Sequence, residues 1–243
     1  MQKLCLPYKL RSYECDENCA MRIVTLMNIF QNLADINATA LGVGFEFCMQ
    51  KQMAWVGLNY HIKIERLPHL HEELKLLTWP SDKNNRIATR DFMALDEADQ
   101  PIIRASSQWL LLDMLRKRPI SLTEHLPNLA SLKERALNTT FEKIEDLTSV
   151  DFSKTFDVRY DDLDLNHHVN NSIYSLWATE ALEPEFRRVH VPSEIAIAFK
   201  KEATYPEKIK VLSQMHGDVS VHLIKDDSDE KELARVKICW QKL

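Results

Sequence analysis

Chain breakers are scarce in this sequence of 243 residues: it has four glycines and nine prolines. Such a composition belongs to a folded chain rather than a disordered one. Cysteines are few and scattered, at Cys5, Cys15, Cys19, Cys48 and Cys239. Their odd number and the lack of any CxxC pair argue against a disulfide framework or zinc knuckle and suit a reducing cytosol. There is no basic excess either. The formal net charge of -5 disfavours wholesale electrostatic binding to nucleic acid. No apolar run approaches the roughly 20 residues of a membrane helix. The start, Met1-Gln2-Lys3-Leu4-Cys5, lacks an apolar stretch behind a basic one. A cytoplasmic protein with no targeting segment and no membrane span is expected. With 45% hydrophobic and 28% charged residues, the chain is long enough for one large core or two smaller ones.

Three regions separate by pattern: 1–118, 119–150 and 151–243. In the first, Ile23, Leu26, Met27, Phe30, Leu33, Ala34 and Leu41 recur at helical period, and Gly42 and Gly44 end that helix. Val56, Leu58, Tyr60, Ile62 and Ile64 then alternate with Gly57, Asn59, His61, Lys63 and Glu65, which marks a strand with one buried face. Strand-like runs follow at 73–79, 86–95 and 102–112, separated by turn-rich pieces such as Pro80-Ser81-Asp82. The second region is polar, is interrupted by Pro119 and Pro127, and reads as a linker with a short helix around 129–137. The third repeats the first. A strand at 154–159 leads through a loop to a helix over about 170–182, then strands at 195–199, 209–215, 219–224 and 233–240.

Both outer regions therefore follow one plan: strand, helix, four strands. A meander without crossovers implies an antiparallel sheet, and one helix per sheet implies an α+β unit with the sheet wrapped round the helix. An offset of 148 aligns Arg11, Asp16 and Asn18 with Arg159, Asp164 and Asn166. It sets Ala20 against His168, so the first half would lack the imidazole.

The densest polar chemistry is Tyr160-Asp161-Asp162-Leu163-Asp164-Leu165-Asn166-His167-His168-Val169-Asn170-Asn171. It lies between a strand and a helix, where loops carry function. If extended, it would project Asp164, Asn166 and His168 to one side. Asn170 or Asn171 fits a helix cap and nothing more. A metal site from Asp164, His167 and His168 is disfavoured, since neighbours in an extended chain diverge and no distant His/Cys pair has ligand spacing.

This loop, followed by Tyr174 and Trp177, resembles the signature of the acyl-carrier-protein thioesterases of the plant plastid and bacterial type. Arg11-Ser12-Tyr13-Glu14, Thr25-Leu26-Met27-Asn28, Trp55-Val56 and Arg104-Ala105-Ser106-Ser107-Gln108-Trp109 are similar to that family in the same order. The resemblance implies two tandem hotdog domains, the second catalytic, and hydrolysis of fatty acyl-carrier-protein thioesters, which ends chain elongation in fatty acid biosynthesis. It implies catalytic Asp164, Asn166 and His168 in this loop and catalytic Glu202 on a later strand, no cofactor, and acyl carrier protein as partner. Ala203 stands where many plant members have cysteine, so a thiol nucleophile there is excluded. The absence of a transit peptide suggests a bacterial protein.

On this reading a buried Glu202 would act as base or nucleophile, its basicity raised by desolvation. The bland alternative is a surface pair with Lys200 or Lys201. Asn166 and His168 would orient water and polarise the carbonyl, Asp164 would fix their orientation, and backbone N–H groups near Val169 and Asn170 would receive the oxyanion. Met27, Phe30 and Leu33 would wall an acyl tunnel, or simply form core. Arg116-Lys117-Arg118 and Lys200-Lys201 are candidate landing sites for an acidic carrier. The tandem halves could act as a monomer or as a homodimer. The rivals are a hotdog acyl-CoA thioesterase, a hydratase and a non-catalytic acyl-binding regulator.

Overall fold

The computed structural model describes residues 2–228 and 230–243. The chain divides into two compact units, Met1–Thr140 and Phe141–Leu243. The first holds β1 (Leu4–Lys9), α1 (Ile23–Ala40), α2 (Phe45–Gln50), β2 (Met53–Ile64), β3 (Glu73–Lys83), β4 (Ile87–Leu95), β5 (Pro101–Asp113), β6 (Arg118–Pro119) and α3 (Leu122–His125). The second holds β7 (Phe152–Asp157), α4 (Asn171–Glu180), α5 (Pro184–Arg188), β8 (His190–Phe199), β9 (Lys208–His216), β10 (Val219–Asp226) and β11 (Glu232–Lys242).

Within the first unit the antiparallel order is β1-β3-β4-β5-β2, and within the second it is β7-β9-β10-β11-β8. Element for element these are one topology, the α+β plan expected from the repeated pattern and the tandem hotdog fold that the resemblance implies. Each long helix buries its apolar face on its own sheet. On α1, Leu26, Met27, Phe30 and Leu33 are buried, and Phe30 stacks on Phe92 of β4 at 4.6 Å. On α4, Tyr174 and Trp177 are buried, with their rings edge to face at 5.3 Å.

The end of α1 follows the glycines. Gly42 takes φ 72, where a side chain would be strained. A Cβ on Gly44 would lie 2.8 Å from Thr39 Cα, so only glycine lets the chain fold back that closely.

Some local expectations fail. Pro80-Ser81-Asp82 is not a turn. It is a register shift inside β3, the kind of bulge that tolerates proline in a strand. No helix forms at 129–137, because the backbone there serves tertiary partners. Leu132 N donates to Pro80 O, Ala136 N donates to the Asp91 carboxylate, and Glu134 O accepts from Trp79 Nε1. Within the stretch read as a linker, Leu122, Leu126 and Leu129 are buried with Val43, Cys48, Met53, Ala88 and Leu111.

Candidate active site

The loop before α4 is a folded hairpin rather than the extended segment expected. Tyr160–Asp162 forms a single 3-10 turn. Asp162 is buried, and its carboxylate accepts from Arg159 N, Nε and Nη2 at 2.9, 3.0 and 2.6 Å. The next turn closes by Asp164 N donating to His168 O at 2.7 Å and His167 N donating to Asp164 O at 3.1 Å. His167 sits at the tip with φ 62. Asp164 Oδ1 accepts from the backbone N–H of Asn166 (2.8 Å) and of His168 (3.3 Å). Asp164 is therefore the acceptor that shapes the turn. Asn170 caps α4, its side-chain oxygen accepting from Ser172 N at 2.9 Å.

Asn166 and His168 are half-buried. Among the described residues, neither the Asn166 amide nor the His168 ring has a hydrogen-bond partner. Both remain available to a ligand. Leu165 is 76% exposed, because the turn carries its side chain outward.

Glu202 departs from expectation in two ways. It lies three residues past the end of β8 rather than on a strand, and it is exposed rather than buried. The chain has left the sheet by this point and turns at Thr204–Glu207. Among the described residues it forms no ion pair, with Lys200, Lys201 or any other cation.

The two halves of the site are joined through backbone. Val169 N donates to Ala203 O at 2.9 Å, and Ala203 N donates to the Tyr174 hydroxyl at 3.1 Å. Ala203, fully buried, is thus held from both sides; His168 directly precedes Val169, and Glu202 directly precedes Ala203. Tyr174 reaches up from α4 to make this contact. Burial, above all, pushes its hydroxyl well above the usual phenol range; the Ala203 N–H opposes this, while Glu202, Glu207 and Asp164 add to it. In the sequence Tyr174 is legible only as part of the signature. Its place one turn into a capped helix just after the loop was the available signal for a tether.

Val169 N–H and Asn170 N–H, the expected oxyanion donors, are both occupied. The first bonds Ala203 O, and the second bonds Asp162 O at 2.8 Å. Hairpin closure takes both before any substrate arrives.

The first unit builds the same hairpin. Asp16 N donates to Ala20 O at 2.8 Å, Cys19 N donates to Asp16 O at 3.1 Å, and Cys19 takes φ 58. Asp16 Oδ1 accepts from Asn18 N (2.9 Å) and Ala20 N (3.0 Å). Met21 N donates to Pro68 O as Val169 N does to Ala203 O. The offset of 148 is thus real atom for atom. By that correspondence Ala20 stands for His168 and Leu67 for Glu202, so the first unit lacks both groups.

Met27, Phe30 and Leu33 lie on the inner face of α1, all buried. Among the described residues no group of three or more His, Cys, Asp or Glu is placed to hold a metal ion.

Residues 3–129 match the family described as acyl-ACP thioesterase N-terminal domain, and residues 145–242 its C-terminal domain. The chain belongs to the acyl-ACP thioesterase family. It is 26% identical over 266 residues to palmitoyl-acyl carrier protein thioesterase of Gossypium hirsutum, covering 96% of this chain and 62% of that protein. It is 24% identical to dodecanoyl-[acyl-carrier-protein] hydrolase of Cinnamomum camphora, covering 96% and 66%. The chain thus spans under two thirds of the length of these acyl-ACP thioesterases. The fold superposes on 12:0-ACP thioesterase from Umbellularia californica with TM-score 0.90 at 22% identity, covering 99% and 98% of the two chains. It superposes on an acyl-ACP thioesterase from Bacteroides thetaiotaomicron with TM-score 0.89 at 17% identity, covering 98% of each. Among the described residues no helix is long and apolar enough to cross a membrane.

Proposed function

We propose that this chain hydrolyses the thioester of fatty acyl-carrier protein, releasing the free fatty acid and the carrier thiol. The observation that carries the reading is the Val169–Ala203 hydrogen bond, which sets the Asn166/His168 turn beside the segment bearing Glu202. Both relatives named above carry acyl-carrier-protein substrates in their names.

Glu202 is the general base. It takes a proton as the water oxygen adds to the thioester carbonyl carbon. The C–S bond then breaks, and the departing thiolate takes the proton back. Exposure of Glu202 suits this role better than direct attack, because water reaches it freely. A bound acyl chain would shield the reacting groups from bulk water. Asn166 donates to the carbonyl oxygen from its amide, and His168 orients the water. With Val169 N–H and Asn170 N–H occupied, the Asn166 side chain is the oxyanion donor we assign; losing one such donor costs about 3 kcal/mol. Asp164 holds the turn. Met27, Phe30 and Leu33 form part of the acyl wall.

An acidic carrier needs cationic ground. Arg116, Lys117, Arg118, Lys200 and Lys201 are all exposed, and among the described residues none of them forms an ion pair. Lys200 and Lys201 directly precede Glu202. All five cysteines are free, which fits a reducing compartment such as the cytoplasm.

The deciding experiment compares hydrolysis rates on carrier-protein and coenzyme A thioesters of one chain length. A clear preference for the carrier form supports the proposal. Equal or faster turnover of the coenzyme A form assigns the chain to the acyl-CoA thioesterases instead. Acyl binding without turnover would make it a regulator.

A further inference from the structure

The tight turns between neighbouring strands differ in chemistry. The β3–β4 turn is Asn84-Asn85-Arg86, the β4–β5 turn is Asp96-Glu97-Ala98-Asp99-Gln100, and the β9–β10 turn is Gly217-Asp218. All are polar. The β5–β6 turn instead reads Met114-Leu115-Arg116-Lys117, followed by Arg118. Leu115 at its apex is 74% exposed and Met114 is 38% exposed.

This tip is a built turn. Asp113 Oδ1 accepts from Leu115 N and from Arg116 N, both at 2.9 Å. Lys117 takes φ 51, and the chain returns so that Arg118 pairs with Asp113. Met114 N donates to Gln52 O at 2.9 Å, which seats the tip beside the C-terminal end of α2. There Met49 is 44% exposed, and Lys51 is exposed too. Among the described residues Lys51, Arg116, Lys117 and Arg118 form no ion pair. Glu46 and Asp113 are the acidic residues of the stretches 44–53 and 113–119, and the Asp113 carboxylate is engaged by its two N–H donors. Four cations thus gather at one tip of a chain whose formal net charge is -5.

A single exposed leucine is ordinary, and so is a run of solvated charge. Their combination on a preformed convex turn has a specific use. Apolar side chains can enter the boundary between lipid head groups and acyl chains, while Lys and Arg stems lie along them and carry their charges to the phosphates. An acidic protein would account for the cations but would need a socket for Leu115. A second copy of this chain would account for the apolar groups, but a twofold contact would set the same cations against each other.

We infer that the β5–β6 tip, with Met49 and Lys51, is a contact site for an anionic lipid surface. The inference goes beyond the thioesterase reading and stands without it. It leaves Lys200 and Lys201, next to Glu202, as the ground for the carrier. On the thioesterase reading the contact has a purpose: a long-chain fatty acid dissolves poorly in water, and a bilayer takes it up.

The test sediments the full chain with vesicles of phosphatidylcholine, with and without phosphatidylglycerol, and with no substrate present. Binding is expected only with phosphatidylglycerol and should weaken as salt is raised. Arg116→Gln, Lys117→Gln and Arg118→Gln should each lower vesicle affinity about fivefold. Leu115→Ser should lower it about tenfold and leave the melting temperature and vesicle-free hydrolysis unchanged. No sedimentation at low salt, or sedimentation indifferent to all four substitutions, overturns the inference. Two rival results also overturn it. If vesicles are ignored and the same substitutions raise KM for carrier-bound substrate, the tip belongs to the carrier. If vesicles are ignored and Leu115→Ser abolishes a concentration-dependent dimer, it belongs to a second copy. A protein that binds vesicles through this tip but hydrolyses no carrier thioester refutes the catalytic reading and leaves the lipid contact standing.

Discussion

His168 and Glu202 flank one hydrogen bond: the N–H of Val169, the residue after His168, donates at 2.9 Å to the carbonyl of Ala203, the residue after Glu202. Neither functional side chain takes part. Geometry and chemistry are thereby separated, and each can be altered alone.

Glu202→Ala and His168→Ala should each lower hydrolysis of carrier-bound substrate by about 100-fold or more. Glu202 is exposed and, among the described residues, unpaired, so its loss should change stability by no more than about 0.5 kcal/mol. Single-turnover rates and thermal unfolding check both halves. Near-normal turnover in the Glu202 variant would remove it from the mechanism.

Asp164 distinguishes an acceptor from an acid. Asp164→Ala frees two backbone N–H groups and should cost about 1–2 kcal/mol, the range of a lost side-chain cap. Asp164→Asn keeps a side-chain oxygen and should retain the fold and most of kcat. A large loss of kcat in the Asn variant with unchanged stability would show that the negative charge itself is needed.

Tyr174→Phe strands the buried N–H of Ala203. The expected cost is about 1–3 kcal/mol of stability. Because the same residue carries the tether to Glu202, kcat should fall while KM holds. A variant with lower stability but unchanged kcat would confine Tyr174 to the core.

His222 gives the second unit an acid sensitivity unrelated to turnover. It is buried between Ser213 Oγ (2.7 Å) and Ser220 Oγ (2.8 Å), and burial lowers its pKa from 6.5 to about 3. The unfolded chain therefore binds a proton that the folded chain refuses between those values. Stability is complete above pH 6.5 and declines as the pH falls toward 3. Denaturant melts at graded pH should show this slope, and His222→Gln should flatten it.

Thiol-blocking reagents should label Cys5 and Cys19, both exposed, and leave hydrolysis intact. Burial pushes the Cys48 thiol up to about 11, which keeps it unreactive. Complete inactivation by the reagent would point to a thiol mechanism.

What was legible in the sequence follows the range of each interaction. The alternation over 56–64 reads as a strand because a half-buried strand has period two, and the loop reads as a site because its residues are contiguous. The Asp16/Asp164 correspondence was visible from three matching letters, since each turn is closed by its own side chain. The fate of the Val169 and Asn170 N–H groups depends on Ala203 and Asp162. The failed helix at 129–137 depends on Pro80 and Asp91. Arg90 reads as one residue of a strand, because its partners Asn37 and Thr78 come from α1 and β3. Exposure of Glu202 was missed for a similar reason: a strand pattern does not say where the chain leaves the sheet.

The twin hairpin supplies an internal reference for the reaction. At Asp16–Ala20 the protein keeps the scaffold of the site with the reactive groups subtracted, so shape alone was worth retaining. Restoring Ala20→His and Leu67→Glu would ask whether that inert copy is one imidazole and one carboxylate away from turnover. The answer would measure how much of an enzyme is architecture and how much is the two groups mounted on it.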